Sequence, residues 1–151
     1  MPPATLPAPA DVDRELVHRL RLAVGRLARR LRQQAEREIT ASQFSALASI
    51  NHLGPITLGR LASVERLRPP TITRIVAALE EAGLVVRRLD QEDRRVARVE
   101  IAPEGTQLLE RIRGRKDAYL AARLATLTPE QVAVLRDATA VIERLLEEEG
   151  S

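Results

Sequence analysis

The side chains of this chain best placed to do chemistry are two clusters of arginine with threonine or aspartate beside them. Their chemistry is recognition of a polyanion rather than catalysis. The first cluster is Arg66, Arg68 and the run Pro69-Pro70-Thr71-Ile72-Thr73-Arg74; the second is Asp93-Arg94-Arg95, closing the charged run that starts at Asp90. A guanidinium donates two parallel hydrogen bonds to the major-groove edge of guanine, and a threonine methyl suits the methyl of thymine. An arginine at a hairpin tip enters a narrow minor groove. Phosphate oxygens ask only for a charge or hydroxyl beside the strand, which Arg66, Arg68 and Ser42 can supply. Asp93 stands close enough in sequence to orient one of the tip arginines.

The residues of acid–base and nucleophilic catalysis are sparse. His18 and His52 are the only histidines, and there is no cysteine. Disulfides, thiol catalysis and thiol redox sensing are therefore excluded. No Ser-His-Asp spacing, phosphate-cradling glycine loop or metal-ligand cluster is present, so no catalytic residue, metal or cofactor is expected. His18, among Arg14, Arg19 and Arg21, and His52, just before Gly54-Pro55, read as surface or helix-end residues; at most they line a small-molecule cavity. A small-molecule-binding enzyme is accordingly the weaker alternative.

The elements that must position the arginines follow from periodicity. On a wheel of about 100° per residue, Ile72, Ile75, Val76 and Leu79 fall in one sector and are predicted to face a core. Pro70, Arg74, Ala77 and Glu81 fall opposite, flanked by Thr71, Thr73 and Ala78. Proline suits a first helical turn, and Gly83 suits the stop, which gives a helix over about 70–82. Leu58 to Val64 reads as a short helix before it. Leu84–Leu89 and Val96–Ile101 are β-rich, with Ala97, Val99 and Ile101 on the predicted buried face. The order is a helix-turn-helix followed by a hairpin wing. Taken alone, residues 70–82 would pass for an ordinary surface helix with one exposed arginine; the arginine-tipped wing behind them argues otherwise.

A long amphipathic helix is predicted from Asp11 to about Glu38, with Leu16, Leu20, Val24, Leu27 and Leu31 as its stripe. Its other face is crowded with arginine. Thr40-Ala41-Ser42-Gln43 is a capping box opening the next helix, whose predicted buried face is Phe44, Leu47, Ala48 and Ile50. Ile56-Thr57 suits a short strand. Pro103 opens a further helix to about Ala125, and Thr128-Pro129-Glu130-Gln131 is a second capping box before the last. The final helix ends in Glu147-Glu148-Glu149, acid that opposes the helix dipole, so fraying is expected there.

At 151 residues, 44% hydrophobic and 30% charged, the chain suffices for a folded core. Phe44 and Tyr119 are its only aromatic residues, which argues against base-stacking modules for single strands. The formal charge is +3 while the sequence pI is about 10.4, because Lys116 is the sole lysine and the other basic residues are arginines. No apolar run has membrane-spanning length and no signal-peptide layout opens the chain, so a cytoplasmic protein without membrane partners is expected.

These residues resemble the MarR family of winged-helix regulators over about residues 12–147. The matching pieces are Thr40-x-x-Gln43-Phe44, Leu61-Ala62, Arg68 to Arg74, and Leu79-Glu80-x-x-Gly83-Leu84-Val85. Most specific is Asp93-Arg94-Arg95 followed by Ile101-Ala102-Pro103-Glu104-Gly105, against a family pattern of Asp-x-Arg and then Leu-Thr-x-x-Gly. Ala102 replaces the capping threonine, a loss of about 1 kcal/mol at a helix start that Pro103 partly offsets.

The expected fold is thus mainly α with a small β-hairpin wing. A tail over residues 1–10 is expected to be disordered. It precedes a dimerisation helix over 11–38, a winged helix-turn-helix lobe over 39–102, and C-terminal dimerisation helices over 103–151. The resemblance implies a homodimer on a pseudo-palindromic operator in double-stranded DNA, a repressor released by a small aromatic or anionic effector. The stripes of the first and last helices support the dimer independently. A helical assembly module without DNA affinity is the other alternative; it accounts for the long helices but not for the arginines of the wing.

Overall fold

The computed structural model describes residues 13–147. Four of the six helices among these residues, those opening at Pro69 and Pro103 excepted, start where a side chain takes free amides of the first turn. Asp13 Oδ1 accepts from the Glu15 and Leu16 amides and opens α1 (Arg14–Ala35). Thr40 and Gln43 close the expected capping box on α2 (Ala41–Leu53): Thr40 Oγ1 accepts from the Gln43 amide, and Gln43 Oε1 from the Thr40 amide. Gly54, with φ +70°, ends α2 in a region closed to most L residues. β1 (Ile56–Thr57) leads into α3 (Leu58–Glu65), capped by Thr57, and α4 (Pro69–Glu81) follows. Gly83, at φ +74°, turns the chain into β2 (Val85–Leu89), paired with β3 (Ala97–Ile101). α5 (Pro103–Leu124) and α6 (Pro129–Glu147) complete the order, α6 opening on the second capping box between Thr128 and Gln131.

Element types agree throughout with the sequence reading, and boundaries differ by a few residues. The expected tail over residues 1–10 and Glu148-Glu149 of the acidic end lie outside the described residues.

The three strands form one antiparallel sheet in the order β1-β3-β2. Ile56 stands opposite Val99 on one side of β3, and Val85 to Leu89 run opposite Ile101 to Ala97 on the other. Val99 is fully buried. Ala97 and Ile101, predicted to share its face, are half-buried because they lie at the two ends of the strand. Leu47, Ile50, Leu61, Ile72, Val76, Leu79 and Val85 are among the other fully buried aliphatic side chains. Each such side chain contributes about 1.5–3 kcal/mol by leaving water. Phe44 and Ala48 are half-buried rather than inside, and Ala46 takes the buried place on α2.

The start of α5 is locked through backbone to the turn between α4 and β2. The Ala102 amide donates to the Leu84 carbonyl at 2.9 Å. A Cβ built on Gly105 would lie 2.2 Å from that same oxygen, so only glycine allows the approach.

The chain divides into two compact units, one reaching Leu109 and the other beginning at Glu110, so the boundary falls within α5. Within the first unit, α1 buries only Ala35. Within the second, α6 buries no residue at all. Among the described residues no helix is long and apolar enough to cross a membrane.

Candidate nucleic-acid interface

Ile72, Val76 and Leu79 pin α4 to the core, and that anchorage fixes which side chains face outward. Pro70, Thr73, Arg74, Ala77 and Glu81 are exposed and Thr71 is half-buried. Ile75, predicted to be buried with its neighbours, is half-buried because it lines a surface cleft beside Arg74. That cleft, about 400 Å³, is also lined by Ser42 and Thr71, so three of the expected contact residues converge from α2 and α4. Arg74 has no ion-pair partner among the described residues. The Thr73 hydroxyl donates back to the Pro69 carbonyl at 2.9 Å, which leaves its methyl and both oxygen lone pairs for a ligand.

A helix N-terminus normally offers amides to phosphate, but the first two residues of α4 are Pro69 and Pro70, which have none. The Thr71 amide is already used by the Arg68 carbonyl at 2.9 Å. Anion contacts at this helix start therefore fall to side chains. Arg68, the N-cap residue, makes no side-chain cap, and Arg66 closes α3 in the left-handed region with φ +54°. Both are exposed and lack an ion-pair partner among the described residues.

The wing tip is a network built on two aspartates. Asp90 Oδ1 accepts from the Glu92 and Asp93 amides, and Asp90 Oδ2 accepts from Arg98 Nε at 2.7 Å. Asp93 Oδ1 accepts from the amide and Nε of Arg95, and Oδ2 from Arg95 Nη2. Asp93 thus orients Arg95 rather than Arg94. The Arg98 hydrogen bond, then the two backbone amides, hold the Asp90 carboxyl below the usual carboxylate range; Arg95 does the same for Asp93. Arg95 remains 91% exposed despite its partner, and Arg94 is exposed without one among the described residues. Further down the wing, Arg87 pairs with Glu80 of α4, and Arg88 with Glu100 across the hairpin.

Sequence reasoning missed Asp90, Arg98 and Glu65. Glu65 accepts hydrogen bonds from Ser45 and Ser49 of α2, tying α2 to α3. The repeated Asp90–Asp93 spacing was a usable signal for an Asx-type turn; nothing local marks Glu65. The two histidines are not brought to a common site. His18 is exposed on α1 with Nδ1 3.3 Å from Arg21 Nη2, and His52 is exposed in the last turn of α2. Neither lines the cleft beside Arg74. Among the described residues no group of three or more His, Asp or Glu is gathered for a metal.

A three-helix lobe with an outward arginine on its last helix, followed by an arginine-tipped hairpin, defines a winged helix-turn-helix protein of the DNA-binding class. The MarR family profile matches residues 39–97. An uncharacterised helix-turn-helix transcriptional regulator of Mycobacterium leprae is 37% identical over 139 residues, 91% of this chain and 97% of that one. A crystal structure of a protein assigned as a transcriptional regulator in Pseudomonas aeruginosa is 31% identical, with a TM-score of 0.79 over 91% of this chain and 98% of its own. A variant of the S. aureus protein MepR bound to an oligodeoxyribonucleotide shares the fold at 19% identity, with a TM-score of 0.71 over 86% and 96% of the two chains. The chain belongs to the MarR family: it is a DNA-binding transcriptional regulator and not an enzyme.

Proposed function

We propose that this regulator is a cytoplasmic homodimeric repressor that reads a pseudo-palindromic operator. In this reading Thr71, Thr73 and Arg74 face base edges in the major groove, with Pro70 against the backbone at the start of α4. Ser42, Arg66 and Arg68 hold phosphates, and Asp93 steers Arg95 into the flanking minor groove with Arg94 beside it. The observation that carries it is Arg74: exposed, without an ion-pair partner among the described residues, central on the outer face of α4, and sharing a cleft with Ser42 and Thr71. The MepR complex with an oligodeoxyribonucleotide supports this use of the fold. Selection of bound duplexes from a random pool supplies the operator. Against it, Arg74→Ala should lose about 1–3 kcal/mol and relax the preference at one base pair per half-site. Unchanged affinity would remove Arg74 from the interface.

The dimer is supported by the apolar stripes left uncovered on α1 and α6, where Leu16, Leu20, Val24, Leu135 and Leu145 are 41–59% exposed. Repression is the simplest consequence of a dimer seated on a promoter, and a reporter fused to the selected operator tests it. Release by a small anionic aromatic effector rests on family likeness alone, and neither histidine lines the cleft beside Arg74 to favour it. Titrating aromatic acids against the protein–operator complex decides the point.

A further inference from the structure

We propose that Glu80 and Arg87 are positioning residues for DNA recognition. Their ion pair sets the angle between α4 and the wing, and so the distance along the duplex between the contacts that each makes. This rests on the DNA reading above, in which α4 takes the major groove and the wing tip the flanking minor groove.

The two edges of the wing are held differently. β3 is fixed by backbone, since Ile56 and Thr57 of β1 pair with Val99 and Arg98. β2 is the outer strand of the sheet. Its first residue, Val85, is buried, but Val86 to Leu89 are exposed. The turn before it is closed by backbone: the Gly83 amide donates to the Glu80 carbonyl at 3.0 Å, and the Leu84 amide to the Leu79 carbonyl at 2.9 Å. Beyond Val85, one ion pair ties this outer edge to α4 among the described residues, Arg87 Nε to Glu80 Oε2 at 3.3 Å. The hairpin itself is braced across its strands and turn by Arg88 with Glu100 and Arg98 with Asp90. A stiff arm with one weakly held edge tilts about its root. The tip lies about 12 Å beyond Arg87, at about 3.3 Å for each of three to four residues. A tilt of about 15° there carries it roughly 3 Å, close to the ~3.4 Å from one base pair to the next. The two side chains are 35% and 42% exposed, and a pair so exposed adds little to stability. Its effect falls on where the tip points.

The test uses the full chain and the operator obtained by selection. Glu80→Gln should weaken operator binding by about three- to tenfold, because binding must then order a looser wing. Charge alone would tighten it, since an acid near phosphate has been removed. Protection of guanine N7 in the major groove should persist, while hydroxyl-radical protection of the flanking minor groove fades or moves. The unfolding midpoint should stay at the wild-type value. Exchanging the pair, Glu80→Arg with Arg87→Glu in one chain, should restore the minor-groove protection. The decisive measurement repeats Glu80→Gln in a chain that already carries Arg94→Ala and Arg95→Ala. A residue that acts by aiming the wing tip then has nothing to aim, and affinity should change by less than about twofold. An equal loss in both backgrounds overturns the positioning role and leaves the wing reading standing. Tighter binding by Glu80→Gln overturns it too, for Arg87 would then be a phosphate contact held back by its acid. A lowered unfolding midpoint would make the pair part of the fold and overturn it likewise. If Arg94→Ala with Arg95→Ala keeps the wild-type affinity and footprint, the wing reading itself falls and the positioning role falls with it.

Discussion

At Asp93, charge counting and geometry predict opposite outcomes. Removing an acid from a DNA-facing wing should tighten binding on charge alone. Geometry says otherwise, because Asp93 holds Arg95 by its Nε and Nη2. Freeing that side chain restores rotamer entropy of about 0.5–1.5 kcal/mol that binding must then remove. Asp93→Ala should therefore weaken operator binding, by about two- to tenfold, while the salt slope steepens because Arg95 is no longer neutralised; tighter binding would sink the orienting role. The pH dependence has a defined sign. Both wing carboxylates sit below their ordinary range in the folded state, so their contribution is intact above about pH 4 and is lost only as pH falls through the lower folded values. Operator affinity measured between pH 8 and 5 should show no inflection from the wing. Arg66 offers a separation of another kind. A non-glycine residue in the left-handed region costs about 1 kcal/mol, so Arg66→Gly should leave denaturant stability equal or up to about 1 kcal/mol higher while lowering DNA affinity. A loss of both would show that the arginine also supports the turn. Arg74 and the Asp93–Arg95 pair were legible because helix period and local spacing determine where they point. Glu65 was not, since its partners Ser45 and Ser49 lie 20 and 16 residues away and meet it only once α2 and α3 pack.

Helix limits were legible where side chains close amides locally, as both capping boxes and the Asp13 cap show. Burial was less so. The wheel puts Ile75 with Ile72 and Val76, yet α4 meets the core along a narrower stripe, and Ile75 ends on a cleft wall. The same proline pair that marks the start of α4 removes the amides that a helix start usually offers, a consequence visible only when each donor is followed to its acceptor. Gly105 belongs to this scale too. In the sequence it is one glycine in a helical stretch; in the fold it is where α5 crosses the Leu84 carbonyl. Gly105→Ala places a methyl against backbone that cannot rotate away, and the expected loss is about 1–3 kcal/mol by chemical denaturation. An unchanged midpoint would mean that α5 can slide off Leu84 at no cost.

For the whole molecule, the exposed stripes of α1 and α6 set the expectation that folding and association are linked. Deleting residues 128–151 should expose apolar surface and give aggregation or loss of cooperative unfolding. A soluble, operator-binding monomer from that truncation would refute the dimer. The wing's internal ion pairs have a further consequence, for search. Arg87, Arg88, Arg95 and Arg98 each already hold a carboxylate. A guanidinium so neutralised releases few counterions when it meets a random duplex. The lobe is therefore expected to grip arbitrary sequence weakly and leave it soon, which a salt series of non-specific duplex binding would check. On the proposed reading, discrimination against a genome of competing sites would be gained partly by what these acids withhold, not only by a base contact of Arg74.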